Sequence, residues 1–115
     1  MLKEYYHCKA KKREGSDIID YQKPIQKWGN YQTLSGYTDI VKHGKNVDYK
    51  WRLTMRNTPQ NQADFQKGDL LYLDMCKPNP EDTKYGNGAN ARITDIHYGF
   101  ALMSIEIDSV IKVKK

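Results

Sequence analysis

The chain is poor in the residues that staple small proteins. It has two cysteines, Cys8 and Cys76, among 115 residues, and neither belongs to a CxxC pair. That excludes a disulfide framework or a zinc site by spacing, and both read as free, small, hydrophobic thiols of a reducing compartment. Long apolar runs are missing too. No stretch approaches the ~18 apolar residues of a membrane-spanning helix. Residues 1–13 carry charges and tyrosines where a secretory signal needs an apolar block. Synthesis and use are therefore expected in the cytosol, or in a particle built there. No segment of ten or more residues carries a helical apolar stripe, and no internal repeat or low-complexity tract is visible. A short turn of helix is expected at most over residues 17–26, where Pro24 limits it.

Period-two patterning is what the chain does have. Val47, Tyr49, Trp51, Leu53 and Met55 alternate with Asp48, Lys50, Arg52, Thr54 and Arg56, the pattern of a strand with one buried and one wet face. Residues 37–42 precede it, and Gly44 and Asn46 suit a tight turn between the two. A second hairpin is expected from residues 92–98 and 100–112 around Gly99, with Ala101, Met103, Ile105 and Ile107 on its apolar face. Residues 70–75 are apolar on both faces and read as a short buried strand. Residues 2–11 form another strand, with Tyr5 or Tyr6 inward. Five or six short strands make the fold class all-β, a small antiparallel barrel or sandwich with long loops. At this length residues 1–115 form a single domain. Long connections are expected over residues 12–31, 57–67 and 77–90, and loops of that size are uncommon without a function.

Constellations that carry chemistry are sparse. His7 and Cys8 are adjacent on a strand, so they point to opposite faces and cannot share a proton. His7, Cys8, Cys76 and His97 have no metal-ligand spacing. Asp69 reads as a turn residue before a strand, and Glu106 and Asp108 as one solvated strand face. Residues 85–90, Tyr-Gly-Asn-Gly-Ala-Asn, lack the phosphate-binding glycine patterns. The expectation is a protein that binds or assembles, with no catalytic residue, cofactor or metal. The net charge of +5 favours contact with nucleic acid. Lys9, Lys11, Lys12 and Arg13 form its densest cluster and are candidate phosphate contacts, weighed against a solvated strand end that discourages edge pairing. Trp28, Tyr31 and Tyr37 are candidates for a base-stacking platform.

The order of these features resembles a known family. A strand ends in the basic stretch 9–13, then come Gly15-Ser-Asp-Ile-Ile-Asp20, Tyr31-Gln-Thr-Leu-Ser-Gly-Tyr-Thr-Asp-Ile-Val41 and the Trp51 strand. Gly68-Asp-Leu-Leu-Tyr-Leu-Asp74 follows, then a loop and a final hairpin from Ala91. This resembles the head–tail joining proteins of long-tailed bacteriophages, also called head-closure or stopper proteins, in which a Gly-Asp-x-hydrophobic-Tyr strand follows a β-hairpin. The resemblance implies a β-barrel subunit in a homo-oligomeric ring, with portal and adaptor proteins above it and tail proteins below. Such a ring closes the DNA channel after packaging and sits in the virion, assembled in the host bacterial cytoplasm. Asn57, Gln60, Asn61 and Gln62 become candidates for a polar channel lining with non-specific DNA contact. Arg52, Arg56, Tyr85, Glu106 and Asp108 become candidates for the subunit interface, with opposite charges on two sides of the subunit. A tail-completion or terminator protein of the same particle and a small barrel that binds single-stranded nucleic acid are the alternative expectations.

Overall fold

The computed structural model describes residues 2–12, 19–33 and 50–110. The hairpin arm expected over 37–42, its turn at 43–46, residues 47–49 of the next strand, Arg13, Tyr37 and His43 lie outside the described residues. Within them are β1 (Lys3–Cys8), β2 (Ala10–Lys12), β3 (Ile19–Tyr21), β4 (Ile25–Thr33), β5 (Lys50–Arg56), α1 (Pro59–Asp64), β6 (Leu70–Tyr72), β7 (Ala91–Tyr98) and β8 (Leu102–Ser109). Six strands close an antiparallel barrel in the order β1-β4-β5-β8-β7-β6, and β2 pairs with β3 in a separate ribbon. The all-β expectation holds, and the choice between barrel and sandwich falls to the barrel.

Alternation places the core. Trp51 and Leu53 of β5 and Met103, Ile105 and Ile107 of β8 point inward, while Lys50, Arg52 and Arg56 stay exposed. The two strands are paired from Lys50↔Asp108 to Arg56↔Leu102. Burial of each such side chain contributes roughly 1.5–3 kcal/mol. In β7 the inward set is Ala91 and Ile93, then Ile96, because a bulge shifts the register between Ile93 and Asp95. An unbroken period of two would have turned Asp95 and His97 into the core. The bulge sends them outward and packs Ile96 inside. β6 is buried on both faces, as its sequence predicts. Leu71 faces the barrel core, whereas Leu70 and Tyr72 face a second cluster with Cys8 and Ala89 outside the barrel wall.

Three expectations change. Residues 17–26 hold no helical turn where they are described: Ile19–Tyr21 is a strand, and β4 begins at Ile25. Where it is described, the long connection expected over 12–31 holds the second arm of a two-stranded ribbon and the first part of a nine-residue barrel strand. Residues 57–67 are not a loop either. Thr58 accepts the backbone N–H of Asn61 at its hydroxyl, Pro59 starts the turn, and α1 follows. No residue of α1 is buried, but Phe65 immediately after it enters the barrel core.

Replacing Ile105 by Ala should lower the unfolding free energy by about 2–5 kcal/mol. Urea denaturation would show it as a lower midpoint with an unchanged slope.

Candidate functional site

A chain of polar groups runs from the barrel interior to the surface. His7 and Asp69 are both fully buried, and the imidazole Nε2 donates to Asp69 Oδ2 at 2.7 Å. The same carboxylate accepts the backbone N–H of Ala10 at Oδ1 (2.9 Å) and of Gln66 at Oδ2 (3.2 Å). Gly68, at φ +94°, makes the turn that aims Asp69 inward. Asp69 is therefore a buried hub and not merely the turn residue its sequence context suggests. On the other side, His7 Nδ1 accepts from Lys27 Nζ at 2.8 Å, and Lys27 also donates to Asp64. Asp64 takes a second cation, Lys9, at 3.3 Å. Phe65 stacks on the His7 ring at 4.4 Å and lies under the Lys27 ammonium.

This arrangement fixes the charge state of His7. Burial is the main cause that pushes its pKa below the ordinary imidazole value, and the neighbouring Lys27 charge adds to it, against the hydrogen bond to Asp69. A proton on Nδ1 would face an ammonium group. Burial alone would raise the Asp64 carboxyl, but the Lys27 hydrogen bond and charge, helped by Lys9, hold it below the usual carboxylate value. Both ring nitrogens of His7 are engaged, so the ring ties elements together and offers no free lone pair to a substrate.

The expected site residues scatter. Lys9 is spent on Asp64, Lys11 is exposed on β2, and Lys12 ends that strand. Tyr31 is buried, with its hydroxyl accepting the Asp74 N–H, while Trp28 is exposed, so the two do not form one stacking surface. Asn57 donates to the Gly99 carbonyl and accepts from Gln62, and Asn61 donates to the Arg56 carbonyl. Three of the four polar candidates thus hold α1 in place, and Gln60 is exposed. The interface charges are not on two sides of the subunit. Arg52 stands directly across from Glu106, and Asp108 is the register partner of both Lys50 and Arg92, all on one wall. Asp95, His97 and Glu106 gather there too. Their ligand-type atoms lie within 4.8 Å of one another, and Lys67 holds the other Asp95 oxygen at 3.4 Å.

Two surface features went unread in the sequence. The first is a cleft of about 430 Å³ outside the β1–β6 wall, with Tyr6, Tyr72, Tyr85, Pro24, Pro78 and Pro80 among its lining residues. Tyr85, expected at an interface, belongs to it. The loop over this cleft is built, not slack. The Tyr72 hydroxyl donates to the Asn87 carbonyl, Asn87 donates to Asp82, and Asn90 accepts from Leu73 N–H and donates to Leu73 C=O. Burial pushes the Tyr72 hydroxyl up to about 12. The second feature is the β7–β8 turn, where Phe100 is fully exposed between half-exposed Tyr98 and Leu102. The one signal for the cleft in the sequence is its nine tyrosines, whose rings suit half-buried surfaces. No family model, curated protein or solved structure matches this chain.

Asp69→Ala strands three donors and should cost about 1–3 kcal/mol for each one left unsatisfied, with Asp69→Asn costing less. Because the folded-state pKa of His7 is depressed, its contribution to stability is complete above pH 6.5 and declines as pH falls below that value toward the folded-state pKa. Denaturant midpoints measured between pH 7.5 and 5 should show this slope, and His7→Gln should flatten it.

Proposed function

We propose that this chain is a structural subunit of a bacteriophage particle, set in a ring at the join of head and tail. There it closes the DNA channel after packaging and offers a docking surface to the tail. The observation that carries the reading is the mismatch between a closed barrel and its apolar surface. Closure of the six-stranded barrel removes the free edges of the main sheet, through which β proteins most easily associate. The core is filled, yet Trp28, Ile25, Tyr85, Tyr98, Phe100 and Leu102 stand exposed on the outside. Exposed apolar side chains that stand together, as Tyr98, Phe100 and Leu102 do at one turn, are a feature of contact surfaces and support this reading.

The placement of the resembling segments is in keeping with this reading. Gly68-Asp69 leads into the Leu70–Tyr72 strand, and the chain reaches a final antiparallel pair, β7 and β8. The charge pattern favours it over a single-stranded nucleic-acid binder. Lys9 and Lys27 are tied to Asp64, and Trp28 and Tyr31 do not share one surface.

Purified protein added to DNA-filled, tailless heads that carry a portal should form a ring at the portal, visible by electron microscopy, and should slow DNA loss. Failure to bind such heads, together with tight single-stranded DNA binding and a steep salt slope, would replace this reading with the nucleic-acid one.

A further inference from the structure

The bulge in β7 does more than keep two polar residues out of the core. It turns Asp95 and His97 outward on one face of the strand, and it sets Asp95 directly across from Glu106 of β8. One imidazole and two carboxylates therefore meet on the outside of the barrel. Spacing along the chain does not announce this group, because strand pairing brings Glu106 to the other two.

The geometry is that of ligands around an ion. His97 Nε2 lies 3.2 Å from Glu106 Oε2 and 3.5 Å from Asp95 Oδ2. A hydrogen bond between an imidazolium and a carboxylate is shorter, about 2.7–2.9 Å. A single N–H also serves only one of two oxygens well. With metal bonds of about 2.0–2.2 Å to nitrogen and oxygen, tetrahedral ligands sit roughly 3.4 Å apart. The two carboxylate oxygens lie within 4.8 Å of each other, a gap that rotation of the half-buried Glu106 side chain can close.

The surroundings hold the donors in place. Asp95 Oδ1 accepts the Ile96 N–H at 2.9 Å and faces Lys67 Nζ at 3.4 Å, which leaves Oδ2 directed at the imidazole. Both ligand-bearing strands are paired along their length, from Ala91↔Ser109 to Tyr98↔Met103. Other nitrogen and sulfur donors among the described residues are committed elsewhere. Both nitrogens of His7 are engaged, Cys8 Sγ donates to Gln22 C=O, and Cys76 Sγ donates to Gly88 C=O.

We infer that Asp95, His97 and Glu106 bind one divalent ion of the zinc class, with water completing its coordination. The ion ties β7 to β8 across the bulge. Charge alone does not select it, since Lys67 pairs with Asp95 and Arg52 is the register partner of Glu106. Selection rests on the imidazole nitrogen. That donor suits zinc and its neighbours, whereas calcium and magnesium take all-oxygen cages. The site stands independently of the head–tail reading.

Calorimetric titration of the full chain with zinc, after removal of metal by a chelator and without a histidine tag, tests this. One zinc per chain should bind at pH 7.5, and more weakly at pH 5.5 because the ion takes a neutral imidazole. His97→Ala and Glu106→Gln should each weaken binding by about tenfold or more. Their circular dichroism should be unchanged, because neither side chain is buried. Zinc should raise the melting temperature of wild type and leave that of His97→Ala unmoved. Cobalt in place of zinc should show d–d bands without thiolate charge-transfer absorption, which separates this site from Cys8 and Cys76. Excess magnesium or calcium should not displace zinc. The inference is overturned by the absence of saturable zinc binding, which would leave the cluster an ion-pair group only. Wild-type affinity in His97→Ala, thiolate bands in the cobalt form, or displacement by magnesium would overturn it equally.

Discussion

The hydrogen bond between His7 and Asp69 is the constraint around which the rest is arranged. Sixty-two positions separate the two residues, and both are sealed from water. A buried carboxylate is tolerated only when its oxygens are occupied. Asp69 meets that demand with the imidazole and the Ala10 amide from the N-terminal strands and with the nearby Gln66 amide after α1. Its own carbonyl accepts Ile93 N–H, which brings β7 to the same point. One residue thus fixes, through its side chain, where β1 ends and where the segment after α1 turns, and, through its carbonyl, where β7 lies.

The charge of the chain is read differently once this network is known. A net charge of +5 suggests a surface prepared for phosphate. Lys9 and Lys27, however, converge on Asp64, and Lys27 also serves the neutral imidazole. Those cations are structural, and Lys27 is on the inward face of its strand. The surface that stands out is apolar: a tyrosine- and proline-lined cleft and a projecting phenyl ring.

Much of the barrel was legible because β5 and β8 bury every second residue and expose the others. β4 was not, and its inward positions explain why. They are Lys27, Gly29 and Tyr31, where hydrophobic patterning expects aliphatic side chains. Lys27 turns inward to reach His7 and Asp64. Gly29 is needed because a Cβ there would come within 2.9 Å of both Tyr5 and Leu53. α1 escaped notice because it buries nothing, although Thr58-Pro59 is a recognisable helix start. The surface charges were correctly placed outside the core, but facing one another across strands, a matter of register that spacing cannot show. The hub at Asp69 depends on contacts across more than fifty residues, beyond the reach of local pattern.

Asn90 has a consequence for how this protein can change over time. Its amide both accepts from and donates to the backbone of Leu73, as an adjacent strand would. The two feet of the β6–β7 connection are therefore clamped at the barrel wall, whatever the chain does between them. Closing a longer loop over a fixed span adds only a few tenths of a kcal/mol for modest increases in length. The outermost part of the connection, around Pro78 to Lys84, can accept insertions or new side chains with little disturbance to the barrel. A lineage could reshape this face while inheriting the same folded body.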